Sequence, residues 1–244
     1  MIDFQQNLQT EEHDLQETFE TSRHIPGLAM GIPTSKELTG IEVRLQNITV
    51  LDNKTPKVPP FPGLAKVYLI ALAASDVNVQ PITVDLKSFE KVDDGSNLNI
   101  DEAMFFWEKK ENNIDAPSQI HCFVSLIKSK QPLRDVSKIM TEVQNDSGFK
   151  ETVSTLGALI RTGSNLTTVS GLVFQTAGII GKFLGRVDDK PLLTWVQSFT
   201  NIHGDFDAVG ELKKNANNKF ATMDLAMTVR DKERQQAAVA AANG

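Results

Sequence analysis

The sequence contains little cysteine, and this limits where the protein works and what chemistry it performs. Cys122 is the only cysteine in 244 residues, so no disulfide can form within the chain. It stands in the apolar run IHCFVSLI, where we expect a buried and unreactive thiol. A chain without disulfides is typical of a reducing compartment, so we predict a cytoplasmic protein.

Positive charge is also too sparse to form a nucleic-acid-binding surface. The chain has 25 lysines and arginines against 31 acidic residues, which gives a net charge of -6. A protein that binds along a phosphate backbone needs a dense basic patch or stripe. We therefore expect no nucleic-acid partner.

Long apolar runs are missing as well. The most hydrophobic window, residues 168–185, is interrupted by serine, glutamine, threonine and glycine and is shorter than the roughly 20 apolar residues of a membrane span. We interpret it as a buried helix. The acidic, polar N-terminus lacks the basic and apolar blocks of a signal peptide.

The common catalytic and cofactor motifs do not occur. The sequence has no G-x-S-x-G, no phosphate-binding glycine loop and no C-x-x-C. The four histidines do not have the i, i+4 spacing of a helical metal site, and His121 and its neighbour Cys122 are predicted to point to opposite faces of a strand. The four histidines are His13, His24, His121 and His203. We expect a non-catalytic protein without a resident cofactor.

Strand patterns are present on both sides of a helical block. Apolar and polar residues alternate in GIEVRLQNITV from Gly40, which is typical of a strand with one solvated face. Four further strands are predicted before Pro132, with a hairpin turn at Asp94-Gly95, and three more after Pro191. Trp107 and Trp195 are predicted to anchor the core.

Between these strands the apolar spacing changes to three and four residues, which is typical of helices. This spacing begins with Leu133 and Val136 and recurs in two further segments before Gly185. We predict a mainly β fold with an α insertion: an antiparallel β-sandwich of about eight strands spanning residues 38–231, with a helical subdomain inserted at about 132–186.

Polar or proline-containing segments flank the predicted sandwich. Residues 1–37 have sparse apolar positions and then IPGLAMGIP, whose prolines and glycines break helices. We predict a flexible N-terminal arm that is disordered or packs on a neighbouring chain. Residues 232–244 are predicted to form a C-terminal tail.

A sandwich of eight antiparallel strands with aspartates at the strand ends resembles the C2 family. In that family, loops at one end of the sandwich gather carboxylates around calcium and often contact membranes, and calcium takes six to eight oxygen ligands. The resemblance implies a calcium site at Asp52, Asp76, Asp93, Asp94, Asp188 and Asp189. The chain departs from the family pattern at Asp205 and Asp207, its one alternating pair, because no acidic continuation follows them.

The residues around Asp188 and Asp189 also fit a simpler interpretation. Gly185 precedes the pair and Pro191 follows it. Glycine commonly ends helices in the left-handed conformation, and proline cannot continue a helix. We favour a charged turn between a helix and a strand over a calcium site.

These observations predict a protein-interaction or assembly module, in which the arm and the helical insertion engage another protein or a second copy of the chain. One alternative is a peripheral membrane or membrane-active protein that attaches through calcium at the acidic loops or through its apolar helices. A second alternative is a hydrolase with an unrecognised site, which requires a pocket of convergent polar groups.

Overall fold

A computed structural model describes residues 2–10, 38–77, 82–109, 116–161, 166–184, 189–201, 203–207 and 210–231. Within them lie nine strands and three helices. The strands are β1 (Leu8–Thr10), β2 (Leu38–Val50), β3 (Ala65–Ser75), β4 (Ile82–Val92), β5 (Glu102–Glu108), β6 (Gln119–Ser129), β7 (Lys190–Thr200), β8 (Gly210–Asn217) and β9 (Ala221–Asp231). The helices are α1 (Val136–Asn145), α2 (Ser147–Arg161) and α3 (Leu166–Leu184), between β6 and β7.

The strands form the two sheets of a β-sandwich, as predicted. One sheet has the order β1-β7-β6-β3-β4 and the other has the order β5-β2-β9-β8. The strand pairs are antiparallel, except that β1 runs parallel to β7. The eight strands predicted from the alternating pattern correspond to β2 to β9, and β1 was not predicted.

The main hydrophobic core lies between the two sheets. Alternate residues of β2, such as Ile41, Val43 and Leu45, point into it and are fully buried, because successive side chains of a strand point to opposite faces. Trp107 and Trp195 belong to the same core, which confirms their predicted role. Cys122 is also buried there, and burial raises the pKa of its thiol to about 12.

A second core lies between the five-stranded sheet and the helices. Tyr68 and Leu72 of β3 pack with Val173 and Ile180 of α3. The central strands of this sheet are therefore covered on both faces, which explains why β3 and β6 have nearly unbroken apolar sequences. The predicted helical insertion is confirmed, and no helix in the described part of the chain is long and apolar enough to cross a membrane.

Two residues of the predicted arm, Ile2 and Phe4, belong to this second core. Ile2 and Phe4 are buried, and the Phe4 ring lies edge-on to Phe123, with 5.5 Å between the ring centroids. Phe4 also lies so close to Gly181 that an added Cβ there would be 2.9 Å from its ring. The rest of the arm, residues 11–37, and the tail, residues 232–244, lie outside the described residues, so those assignments stay predictions.

The predicted hairpin at Asp94-Gly95 is wrong, because β4 and β5 belong to different sheets. The chain reverses at this point, but it then pairs with the end of β2: the Gly95 amide donates to the Val50 carbonyl at 2.6 Å. Leu98 makes the next bond, to Ile48. The turn residues therefore carry the chain from one sheet across to the other.

Candidate docking surface

Exposed apolar side chains are concentrated in the loop that joins β2 to β3, residues 51–64, which we call the tip loop. Phe61 is 71% exposed and Val58 is 57% exposed, and Leu51 and Leu64 are exposed as well. In the rest of the described chain, Phe106 is the other large hydrophobic residue that is exposed. A cluster of exposed apolar side chains is typical of a binding surface, whereas single ones are common on any protein.

Val58 and Phe61 lie at the apex of the tip loop. The Phe61 amide donates to the Val58 carbonyl at 2.6 Å, which closes a tight turn around Pro59 and Pro60, joined by a cis peptide bond. The two residues form an isolated β-bridge. Their side chains are therefore presented by a closed and hydrogen-bonded turn.

Asn53 anchors the base of the tip loop. Its side chain is fully buried, and Nδ2 donates to the carbonyls of Gly63 at 2.8 Å and Val92 at 2.9 Å. Its Oδ1 accepts from the Thr55 amide at 2.7 Å. One asparagine thus joins both ends of the loop to the end of β4, and each polar atom of its side chain is satisfied, as buried polar groups require.

The conformation of Gly63 and a hydrogen bond from Lys128 also restrain the loop. Gly63 has a positive φ of 73°, and an added Cβ would lie 2.6 Å from Lys57 Cγ and 3.0 Å from the Thr55 carbonyl oxygen. A residue with a side chain is therefore disfavoured there by both conformation and space. Lys128 at the end of β6 donates from Nζ to Thr55 Oγ1 at 2.6 Å.

Two aspartates lie beneath the tip loop and bind it. The Asp94 carboxylate accepts a hydrogen bond from the backbone amide of Asn53 at 2.8 Å. Lys57 Nζ lies 3.0 Å from a carboxylate oxygen of Asp94 and 2.9 Å from one of Asp93. The pKa of Asp94 is lowered chiefly by the hydrogen bond from the backbone amide of Asn53, and next by the hydrogen bond from Lys57. Lys57 is the main cause of the lowered pKa of Asp93.

Lysines surround the tip loop, and we call five of them the lysine collar. Lys54 Nζ lies 3.5 Å from the centroid of the Phe220 ring, and Lys219 Nζ lies 4.9 Å from the same centroid. The pKa of Lys54 is lowered mainly by burial, and next by the positive charge of Lys219. The charge of Lys190 has a smaller effect in the same direction. The lysine collar comprises Lys54 in the tip loop, Lys128 in β6, Lys130 directly after β6, Lys190 in β7, and Lys219 in the turn between β8 and β9.

Strand pairing places two of these lysines side by side, because Lys128 of β6 lies directly opposite Lys190 of β7. Burial lowers the pKa of Lys128, and the charges of Lys54 and Lys130 contribute in the same direction. Like charges lower the pKa of a lysine because they disfavour its protonated form. The surface therefore combines an apolar apex with surrounding positive charge in a protein of net negative charge.

The structure places four of the six predicted calcium ligands at this end of the sandwich. Asp52, Asp93, Asp94 and Asp189 follow or precede strands that end near the tip loop, whereas Asp76 follows β3 at the opposite end. Asp188 lies outside the described residues.

The described members of this set bind protein groups. The Asp52 carboxylate accepts a hydrogen bond from the backbone amide of Lys54 at 2.7 Å. The buried Asp189 carboxylate accepts one from the backbone amide of Lys130 at 2.8 Å. Asp76 accepts the Ser118 amide at 3.0 Å. In the described residues no three acidic, histidine or cysteine side chains are grouped as metal ligands, and the calcium prediction, which includes Asp188, stays a prediction.

One histidine and serine pair bears on the hydrolase alternative. His121 Nδ1 lies 2.8 Å from Ser198 Oγ, and its Nε2 lies 3.2 Å from Gln119 Oε1. The imidazole is fully buried, and burial lowers its pKa to about 4. The ring is therefore neutral at pH 7, and its burial leaves a substrate no direct access to it.

A groove lies elsewhere, between residues 2–5, α2 and α3. Its volume is about 830 Å³, and its lining includes Phe4, Phe174, Glu151 and Lys182. His121 and Ser198 do not line it. The histidine and serine pair and the groove thus do not form one site of the kind that a hydrolase needs.

Sequence reasoning missed the tip loop. Its prolines disfavour a helix or a central strand, but they do not show that Val58 and Phe61 are exposed. The available signal was the presence of Val58, Phe61 and Leu64 in a proline-rich loop, where apolar residues have no strand or helix partner of their own. No protein-family model matches this chain, and no curated protein matches it by sequence.

Proposed function

We propose that this protein is a non-catalytic docking module that attaches to its partner through the tip loop. One observation supports this proposal above the others: among the described residues, all the exposed large hydrophobic residues except Phe106 are clustered in a single loop that buried Asn53 holds in place. A preorganised loop loses little conformational entropy when it binds, so more of the contact energy contributes to affinity.

The sequence pattern placed the contact on the arm and the helices, and the packing favours a different surface. Ile2 and Phe4 from the arm, and the apolar face of α3, are buried in the protein's own second core. These groups stabilise the fold itself. The tip loop has no such cover among the described residues, and we assign the docking role to it.

A C2-like identity and a cytoplasmic location remain part of this proposal. A two-sheet sandwich with aspartates in the loops at one end supports the C2-like assignment. Those aspartates bind Lys57 and backbone amides, so docking through the tip loop does not require calcium.

Photo-crosslinking tests the proposal and can capture a partner of any identity. Benzoylphenylalanine replaces Phe61 in one variant and Phe106 in a matched control, because both phenylalanines are exposed and only Phe61 lies in the tip loop. After irradiation in cells that express the protein, we expect several times more crosslinked product from position 61. Equal yields at the two positions would contradict the proposal.

A further inference from the structure

Residues 2–10, which we call the clip, are held by parts of the fold that lie far away in the sequence. The Phe4 ring lies edge-on to Phe123 of β6 and Phe174 of α3, at centroid distances of 5.5 Å and 6.2 Å. β1 then pairs with β7 and with no other described strand. The next strand along the chain, β2, belongs to the other sheet. We call the surface that holds the clip, formed by β6, β7, the end of β8 and α3, its seat.

The clip also joins the two sheets at one side of the sandwich. The Gln9 side chain reaches the end of β8 in the four-stranded sheet, where Oε1 accepts a hydrogen bond from the Asn217 amide at 3.0 Å and Nε2 donates to the Asn217 carbonyl. Asn7 Nδ2 donates to the Pro191 carbonyl at 2.9 Å, and the Asn7 carbonyl accepts from the Thr194 amide at 3.1 Å. The groups that bind the clip here all belong to β7 and β8, so the same seat exists on every copy of the chain.

The clip lies at the surface and is inserted through two side chains. Ile2 and Phe4 are buried, whereas Asp3, Gln5 and Gln6 are exposed. The groove of about 830 Å³ runs beside the start of the clip, along helices α2 and α3. The clip can therefore enter or leave its seat through this open side, without separation of the two sheets.

The connection from the clip to β2 is long enough to reach a second copy of the chain. It comprises the 27 residues 11–37, and a segment of this length spans up to about 90 Å when extended. A globular chain of 244 residues has a radius of gyration of about 18 Å. The clip of one copy can therefore reach the seat of a neighbour that lies beside it.

We propose that two copies of this chain exchange their clips, so that the clip of each copy occupies the seat of the other. The sequence that fits the seat is the chain's own, with Phe4 against Phe123 and Gln9 bonded to Asn217, and a second copy supplies that same sequence. A reciprocal exchange fills both seats and gives a closed dimer. It requires no new complementary surface, because each contact of the clip also forms within one chain.

The exchange is independent of the proposed function and adds to it. An exchanged dimer presents two tip loops, so that on the premise of the proposed function docking becomes bivalent wherever two binding sites lie within reach. The exchange also gives a structural form to the contact with a neighbouring chain that the sequence pattern indicates for the arm.

A disulfide between the clip and β7 reports which copy supplies the clip. Thr10 and Val196 are register partners in β1 and β7, and neighbouring strands lie about 4.8 Å apart, within the range that a disulfide bridges. The protein is studied at about 100 μM, because association increases with concentration by mass action. After oxidation of T10C/V196C, we expect a covalent dimer on a denaturing, non-reducing gel. A disulfide that forms only within single chains would overturn the exchange.

The matched control for the disulfide is Q6C/V196C. Gln6 is exposed and lies outside β1, so this pair should give several times less covalent dimer. The native Cys122 is buried and is present in both variants.

Light scattering gives a readout that needs no introduced cysteine. At the same concentration we expect the unmodified full chain to have about twice the mass of a single 26.9 kDa chain. F4S should weaken dimer formation at least about tenfold, because the clip loses the buried ring that holds it in the seat. Q5S is the matched control and should remain dimeric, because Gln5 is exposed. Thermal midpoints establish that both variants are folded.

Two results of the light scattering would overturn the exchange. One is the mass of a single chain for the unmodified protein. The other is a dimer that F4S leaves as stable as that of the unmodified protein, since the copies would then associate through another surface. Neither result changes the crosslinking expected at position 61, so failure of the exchange is distinguishable from failure of the proposed function.

Discussion

Phe61 and Phe106 are both exposed, but their surroundings differ. Phe106 lies in β5 directly opposite Glu42 of β2, and Glu108 and Arg230 are close by. Phe61 lies beside Val58 in a loop that also exposes Leu51 and Leu64. The comparison shows that exposure of one aromatic ring is not informative, whereas a supported cluster of apolar side chains indicates a binding surface.

The tip loop also differs from the outer face of the four-stranded sheet in how its shape is held. On the sheet, backbone hydrogen bonds between β2 and β5 fix the position of Phe106. The tip loop depends on single side chains, mainly Asn53 and Lys57. Substitutions in these supports should therefore have large effects, and the following experiments test the difference.

The largest effect is expected from N53A. This substitution removes two buried hydrogen bonds, to the carbonyls of Gly63 and Val92, and a part-buried one from the Thr55 amide. We expect the free energy of unfolding to fall by about 3 kcal/mol, measured by urea denaturation. N97A is the control, because Asn97 is exposed and its side chain accepts one bond, from Asn99. A loss no larger than that of N97A would mean that Asn53 does not anchor the loop.

A smaller effect is expected from alanine at Gly63. Gly63 and Gly95 both have positive φ, of 73° and 78°, but an added Cβ meets close neighbours at Gly63 and nothing within 4 Å at Gly95. Both substitutions carry a conformational cost of about 1 kcal/mol, and G63A should cost about 1 kcal/mol more because the neighbouring atoms must move. Thermal denaturation of the two variants measures the difference. Equal midpoints would show that the loop gives way freely at Gly63.

The sequence predicts the secondary structure of this protein well and its tip loop poorly. The alternation in β2 and the helical spacing after Pro132 depend on local apolar patterns, which sequence alone shows. The change of sheet after Asp94-Gly95 cannot be read from such local patterns, because the same turn residues occur in a hairpin and in a connection between two sheets. The sequence also does not show that Asn53 binds Val92, 39 residues away.

The aspartates illustrate the same limit. A carboxylate at a strand end has the same sequence signature whether it binds calcium, a lysine or a backbone amide. Asp94 binds the Asn53 amide and Lys57, and neither contact follows from local spacing. The sequence thus shows that these aspartates stand at strand ends, without indicating what they bind.

The smallest effects on stability are expected at Asp85, which lies in β4, and at Asp94, which follows β4. Asp85 in β4 lies near Glu102, and burial followed by the charge of Glu102 raises its pKa to about 6. Because the folded protein then holds this proton more tightly than the unfolded chain, stability falls as pH rises from about 4 to 6 and stays lower above it. D85N should therefore stabilise the protein at pH 7 by roughly 1 kcal/mol, after allowance for solvent screening at this half-exposed site.

D94N is the matched variant of opposite sign. The lowered pKa of Asp94 means that its contribution is present at neutral pH and is lost as pH falls through its titration. D94N should therefore destabilise the protein at pH 7. Thermal midpoints of both variants between about pH 2 and pH 7 measure the two effects, because the lowered pKa of Asp94 lies below the ordinary value for aspartate of about 3.9. A destabilising D85N at pH 7 would contradict the assignment of Asp85.

The most direct test of the central claim is the ratio of photo-crosslinked product at position 61 to that at position 106. If the tip loop is the docking surface, position 61 should give several times the yield of position 106, and substitution of Val58 by serine in the same chain should reduce that yield. A ratio of one, or a higher yield at position 106, would show that the partner binds elsewhere.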